Sequence, residues 1–407
     1  MKKGYVLVAV IPLLVLGSCI QDKSGKPDSV SGASAQMESP VRLLLERFMP
    51  DSMADGIVKI AILVNQEMRD NSRLFIEGCV FEGRSMGFTV DWFITDGDEN
   101  RCMELAAGIA RADYDGLIFS DGAIDFSYDI LKPIADRGVR IVTFETLPYR
   151  DGKYIKGLVT TFQNDYRLAR LSLDTLLSYC SGNEEHPSKV IRIGCDPGIT
   201  FLDRRAWEFD QLVGMGRIKE AAMVKLAGLE NPQRTAWEAF AAVLPHFPYG
   251  SVDAVWVPWS EFAAGCAEAL ASAGRQDIKL ISIGISNDDM RLMMRHSQIW
   301  LANTAVDPHL TGVVNMRILA ARLAGESLQD TFSFEPRIIK TADLNYTTNM
   351  SNIGALVPDW GDGKGLFDQY QWMSELKAAG TKYIRVASPP SGIASIPPAA
   401  LISKAAR

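Results

Sequence analysis

From Gly56 to about Asn345, short apolar runs alternate with stretches whose apolar residues recur at helical spacing. The runs predict strands at Lys59–Val64, Thr89–Ile94, Gly116–Phe119, Arg140–Phe144, Lys189–Gly194, Ala254–Val257 and Lys279–Ile283. The amphipathic stretches predict helices at about Ser72–Met86, Glu99–Ala110, Asp165–Tyr179, Asp203–Val213, Ser260–Ala273 and Pro308–Leu323. The strand runs are continuously apolar rather than alternating, as required when helices cover both faces of a parallel sheet. The fold class that follows is α/β, with doubly wound, Rossmann-like parallel sheets.

The order of these units repeats. KIAILVNQ in the first half is matched by KVIRIGCDP in the second, YDGLIFSDG by VDAVWVPWS, and VRIVTFET by IKLISIGIS. The third and fourth strands start 24 residues apart in one half (116 to 140) and 25 in the other (254 to 279). Two lobes of like topology account for this, against chance likeness among βα units. Polar residues gather just after the strands: Asn65-Gln66, Ser120-Asp121, Glu145-Thr146, Asp196, Trp259-Ser260 and Ser286-Asn287. Open parallel sheets bind ligands beyond the carboxyl ends of their strands, so two facing lobes would line one cleft with these residues.

The N-terminus changes the picture. Lys2 and Lys3 precede an apolar run from Tyr5 to Leu16, followed by Leu16-Gly17-Ser18-Cys19. The run is short for a membrane span and has the layout of a secretory signal. A Cys after small residues resembles a bacterial lipobox, in which the chain is cut before the Cys and the thiol is acylated. That resemblance implies a signal peptide at 1–18, a lipid on Cys19, and the periplasmic face of a membrane in a bacterial cell envelope. An ordinary signal with an incidental Cys is the alternative. Residues 19–55, rich in Ser, Gly and Asp at their start, read as a flexible tether.

The formal charge of −7 becomes −7 − 2 = −9 once Lys2 and Lys3 are removed. With a pI near 5.3, no basic field is available for a phosphate backbone, which argues against nucleic acid as a partner. Past Cys19 remain Cys79, Cys102, Cys180, Cys195 and Cys266, an odd number without a CxxC. They read as small buried residues, with at most one or two disulfides. The four histidines, His186, His246, His296 and His309, are scattered, so neither a metal site nor a cofactor is implied. Gly214-Met215-Gly216 ends a helical stretch and reads as a helix stop rather than a dinucleotide fingerprint. Asp121 and Glu145 are candidate acid and base, but no nucleophile accompanies them and no GxSxG or Walker loop occurs. The chain does not read as an enzyme.

At this point the residues resemble a known family, the type I periplasmic sugar-binding proteins, such as the ribose- and galactose-binding proteins of ABC transporters. The resemblance rests on YDGLIFSDG, VRIVTFET, VDAVWVPWSEFAAGCAEALASAG, IKLISIGIS and ANTAVDPHLTG in that order, over about seventy percent of the chain. It implies two lobes joined by three crossovers, near Thr160, Asp307 and Phe332. Lobe 1 would be 56–160 plus 308–331, and lobe 2 161–307 plus 333–344. It also implies a monomeric, lipid-anchored receptor that captures a sugar or polyol and presents it to a membrane permease. The same fold serves sensors that report to a chemoreceptor or histidine kinase, and binders of nucleosides or furanosyl signalling molecules.

The family's ligand-contacting positions fall here on Asn65, Gln66 and Asn71 after the first strand, Glu145, Arg204 (Asp203 aligns as well), Ser286 and Asn287, with Asp307 at or beside another. Asp121 and Trp259 join them from the matching turns of the two halves, Trp259 as a stacking platform for a sugar face. Such residues suit polyols, whose hydroxyls both donate and accept while their C–H faces favour aromatic rings. Several positions depart from the family. NQEMRDNS lacks its paired Phe, Glu145-Thr146 stands for Asp-Arg, Ser286-Asn287 replaces an Asp, and Trp259 stands where Asn is usual. Each has a structural reading too. Asn65 and Asn71 read as helix caps, Asp121 as a turn residue, and Glu145 as a solvated hinge residue. Arg204 reads as a partner of Asp203 or Glu208, Asp307 as the cap of the helix beginning at Pro308, and Trp259 as packing. Trp256 is assigned to the core. Beyond Asn345 the tail, 345–407, shows one short helix at Gln369–Ala379 and otherwise reads as loop, bracing the lobes or meeting a partner.

Overall fold

The computed structural model describes residues 40–384, apart from 54–55, 122–125, 184, 196–198 and 229, with side chains as far as Gly380. The signal peptide, Cys19, the tether as far as 39, Asp196 and the last residues, 385–407, lie outside the described residues.

The seven predicted runs, joined by Val159–Gln163, Ile218–Leu226, Trp300–Ala305, Thr331–Phe334 and Arg337–Lys340, form two six-stranded sheets. In the first, the strand order is Thr331–Phe334, Val159–Gln163, Arg140–Phe144, Gly116–Asp121, Lys59–Asn65, Thr89–Ile94, all parallel. In the second it is Arg337–Lys340, Trp300–Ala305, Lys279–Ile283, Ala254–Val257, Ser188–Cys195, Ile218–Leu226, with only Arg337–Lys340 antiparallel. The two orders correspond strand for strand, so the internal repeat is a repeat of topology. Ile218–Leu226 escapes the apolar-run pattern because it is an edge strand, where Lys219, Glu220 and Lys225 interrupt the run. Trp256 lies in the core, its Nε1 donating to Ser172 Oγ (2.8 Å) and its ring stacked on Phe209. All five described cysteines are free thiols.

The first and third crossings fall a few residues later than the sequence suggests, while the second falls beside Asp307. Thr160 and Phe332 are inside strands of the first sheet, with Thr331 paired to Thr160 and Phe332 to Thr161. That pairing satisfies backbone groups which would otherwise be left bare beside the hinge. The chain therefore leaves the first sheet at Asn164, returns at 306–307 and leaves again at 335–336. Residues 161–163 and 332–334 belong with lobe 1.

Two helices of lobe 1, Asp70–Ser85 and Pro308–Leu323, cross at bare backbone. A Cβ on Gly78 would stand 2.2 Å from the carbonyl oxygen of His309, and one on Gly312 2.1 Å from that of Phe75. Only glycine permits this approach, and it sets the position of Phe75.

Both ends of the described chain differ from expectation. The tether does not run to 55: Pro40–Phe48 is a helix that buries Val41 and Leu45 on one face, and Met49 and Met53, in the turn that follows, are buried after it. The tail is likewise packed rather than loose. Ile353 and Val357 join the core of lobe 2, and the N–H of Met350 donates to Asn287 Oδ1 (2.9 Å). The N–H of Gly361 then donates to Asp307 Oδ2 at the hinge (2.7 Å). On lobe 1 the buried Arg317 donates Nε to Glu82 (2.6 Å), and its Nη atoms to the carbonyls of Asp362 (2.7 Å), Gly363 (2.6 Å) and Leu366 (3.1 Å). Helix Gln371–Ile384 packs against Pro40–Phe48 and Asp70–Ser85, with Lys377 also on Glu82 (2.9 Å). Residues 345–384 thus form a strap from lobe 2, past the hinge, to lobe 1.

Without Arg317, Glu82 keeps Lys377, but the carbonyls of Asp362, Gly363 and Leu366 lose their donor, and a buried polar group left unsatisfied costs about 1–3 kcal/mol. Arg317→Met is expected to lower the stability measured by urea unfolding by about that amount and to speed proteolysis within 345–384. An unchanged midpoint and cleavage pattern would show that the strap does not depend on Arg317.

Candidate binding cleft

The carboxyl ends of the two sheets face each other, and the lobes meet over an inner cavity of about 180 Å³. Lobe 1 supplies Gln66 and Asn71 from the turn and helix after its first strand. Phe75 comes from the same helix, Phe144-Glu145 from the end of Arg140–Phe144, Gln163 from the first crossing, and Thr311 from helix Pro308–Leu323. Lobe 2 supplies Gly284, Ile285, Ala305 and Val306. Phe75 and Phe144 stack at 5.1 Å with 19° between planes, offering an apolar surface inside the cleft.

Glu145 is the one ionisable group among the described residues lining this cavity. Its backbone is left-handed, φ 58°, a strained conformation for a residue with a Cβ. Hydrogen bonds hold it there: its N–H donates to the carbonyl of Thr161 (2.9 Å), and its Oε1 accepts from the N–H of Gln163 (2.5 Å). Burial pushes the Glu145 carboxyl up to about 7, with the Gln163 N–H opposing and Asp165 adding to the rise. Thr146, where the resemblance leads one to expect an arginine, is buried. It accepts from the Asp121 N–H (3.0 Å) and donates to the Asp121 carbonyl (2.7 Å), tying two strand ends together.

The sequence-derived candidates separate into groups. Gln66, Asn71 and Glu145 come together at the inner cavity. Asn65 and Asp121 lie buried at the strand ends, joined by Asn65 Nδ2 donating to Asp121 Oδ1 (3.3 Å), while Thr95 donates to Asn65 Oδ1. Trp259 and Ser286 line a separate outer vestibule of about 1060 Å³, which Asn71 also reaches. Trp259 is half-buried, edge-on to both Phe201 and Phe262. Ser286 caps helix Asn287–Arg295, accepting from the Asp289 N–H (3.1 Å). Behind it, burial raises the Asp289 carboxyl to about 6 against the pull of the Ser286 and Ser260 hydroxyls.

The remaining three are engaged elsewhere. Arg204 pairs with the buried Asp165 (Nε 2.9 Å) and not with Asp203 or Glu208. Arg205 completes that network, donating to Asp165 (2.8 Å) and to the Pro258 carbonyl (2.7 Å). Asn287 donates through its N–H (2.9 Å) and Nδ2 (2.7 Å) to Asp70 Oδ2 on lobe 1. Asp307 caps helix Pro308–Leu323 through the His309 N–H (2.9 Å), and burial raises its carboxyl from the usual range. The Asp70–Asn287 contact and an ion pair from Arg69 to Glu261 cross from lobe to lobe, so the cleft is closed. Phe75, Phe144, Gln163, Ile285 and Thr311 escaped the sequence reading. Phe75, Phe144, Ile285 and Thr311 sit in apolar or helical contexts that look like core, and Gln163 ends the strand Val159–Gln163, which shows no apolar run. The close Gly78–Gly312 crossing seats the helix that carries Phe75.

Among solved structures, the chain is similar to a sugar ABC transporter from Yersinia enterocolitica subsp. enterocolitica 8081, at 31% identity and TM-score 0.66 over 81% of this chain and 98% of that one. A 5-methylthioribose transporter solute binding protein from Thermotoga lettingae TMO, in complex with 5-methylthioribose, shares 23% identity and TM-score 0.63 over 79% and 97% of the two chains. A periplasmic ribose ABC transporter from Conexibacter woesei DSM 14684 shares 13% identity and TM-score 0.62 over 74% and 95%. The last two speak to the fold alone. No family model matches the chain, and no curated protein matches it.

The raised Glu145 carboxyl has a consequence for stability. The folded state holds this proton more tightly than the unfolded chain, whose Glu titrates near 4.5. Its stabilising contribution is therefore full below about 4.5 and lost as pH rises through about 7. Glu145→Gln, which keeps the acceptor for Gln163, is expected to melt higher than the unsubstituted chain at pH 8 and level with it at pH 4.5. Parallel melting curves at both pH values would contradict the shift.

Proposed function

The chain belongs to the periplasmic solute-binding proteins of sugar ABC transporters, and from that premise we propose that it captures one sugar or polyol in its inner cavity. The observation that carries the reading is the closed cavity itself. Gln66, Asn71, Gln163 and Glu145 present donors and acceptors to hydroxyls beside the Phe75–Phe144 stack. A volume of about 180 Å³ is below the roughly 300–1,000 Å³ of sites for drug-sized ligands, and suits a single monosaccharide. Among the described residues Glu145 stands there without a second ionisable group, which supports binding rather than acid–base catalysis.

The receptor is held to the periplasmic face of a membrane by a lipid on Cys19 and delivers its ligand to an ABC permease, acting as a monomer. The Thermotoga relative holds a thio-substituted ribose, and a related pentose is a first candidate here. Outside the cavity, Trp237 and Trp259 both line the outer vestibule, so their fluorescence is expected to respond to lobe movement.

Thermal shift of the purified full-length chain against sugars, polyols and nucleosides tests the ligand class. A ligand at 100 times its Kd stabilises by about 2.7 kcal/mol, a shift readily seen. Stabilisation by nucleosides alone would remove sugars and polyols as the ligand. Separately, labelled fatty acid is expected to appear on the chain in cells and to be lost in Cys19→Ser; label retained in that variant would place the anchor elsewhere.

A further inference from the structure

The walls of the inner cavity are unequal. Every polar side chain that the described residues bring to it comes from lobe 1, while lobe 2 contributes Gly284, Ile285, Ala305 and Val306. This is not for want of polar residues at the ends of the second sheet. Ser282 donates to the Val257 carbonyl (2.8 Å), Asn303 to the Gly284 carbonyl (2.7 Å), and Thr304 to the Leu168 carbonyl (3.1 Å). Ser286 is held by its own helix and Asn287 by Asp70. Their hydrogen-bonding capacity is directed into the lobe and the lips, and what closes over the ligand is aliphatic.

A fully hydroxylated sugar meets that wall at a cost, because a hydroxyl carried from water onto Ile285 or Val306 finds no partner. A ligand with hydroxyls on one side and a carbon or thioether substituent on the other meets both walls. Resting on the sugar-binding reading above, we infer that the physiological ligand is an uncharged sugar bearing an apolar group in place of one hydroxyl. Its hydroxyls face Gln66, Asn71, Glu145 and Gln163, and its apolar end lies against Ile285, Ala305 and Val306. Phosphorylated sugars are disfavoured, since Glu145 would face the phosphate and no cation lines the cavity among the described residues.

Calorimetry on the full-length chain, comparing 5-deoxyribose with ribose and 6-deoxygalactose with galactose, tests this directly. The members of each pair differ by one hydroxyl, which an apolar pocket disfavours by up to about 100-fold, so in at least one pair the deoxy sugar is expected to bind tenfold tighter or more. Ribose 5-phosphate is expected to bind more weakly than ribose. If the sugars bind but the hydroxylated member is equal or better in both pairs, the inference fails and the sugar-binding reading stands. If no sugar or polyol binds, both fail. Val306→Thr, which alters shape little, is expected to narrow the preference at least threefold. Ile285→Asn should do the same where it folds, as judged by its melting curve. A preference unchanged in Val306→Thr would overturn the assignment of that wall.

Discussion

The carboxylate of Asp307 holds three parts of the chain at the place where the lobes meet. It ends the second crossing, caps helix Pro308–Leu323 through His309, and accepts the N–H of Gly361 from the strap. That helix carries Thr311 into the cavity and Arg317 onto the strap, and its Gly312 seats Phe75. A carboxylate suits the position, because it satisfies N–H groups that a helix start and a passing loop would otherwise leave bare in a buried place. Loss of this anchor would be felt at once in the hinge, the strap and the cavity.

The strap changes what closure involves. Besides three crossings, the lobes are joined by residues 345–384, attached to lobe 2 at Asn287 and the Ile353–Val357 cluster and to lobe 1 at Arg317 and Glu82. Asn287 bonds both to the strap and, across the cleft, to Asp70. The lip contacts themselves are modest. Arg69 is 54% exposed in its pair with Glu261, and such pairs are worth about 0–1 kcal/mol. Moving a two-state equilibrium from mostly open to mostly closed takes about 5.5 kcal/mol. The lips therefore guide the register of closure, and ligand contacts in the cavity supply the differential free energy.

Legibility varied with the range of the interaction. Continuous apolar runs marked Lys59–Asn65, Gly116–Asp121, Arg140–Phe144, Ala254–Val257 and Lys279–Ile283, because burial on both faces leaves few polar positions, and the repeated spacing revealed paired lobes. The inner strands Val159–Gln163 and Trp300–Ala305 carry Thr, Gln and Asn and show no such run. The edge strand Ile218–Leu226 and the helix Pro40–Phe48 were missed because each owes its place to what lies beside it. Among site candidates, Gln66 and Glu145 were legible as polar residues just past strand ends, and Asn71 through the family resemblance of the loop that follows the first strand. Asp307 was legible both as a cap and as a contact, and geometry gave it the first role together with a partner 54 residues away. Arg204 took neither of its nearby partners, because Asp165, at the start of another helix, is buried within its reach.

The amino-acid sequence by itself determined the α/β class, the doubled topology, the family resemblance and the strand ends at which a site would form. These follow from local periodicity and from residues adjacent along the chain. Only the tertiary structure decided which polar groups face the cavity and which are turned into the lobe, that Phe75 reaches the cleft, and that the tail straps the hinge. A hydrogen-bonding side chain takes the partner that folding brings within about 3 Å, and that partner is usually far away in sequence.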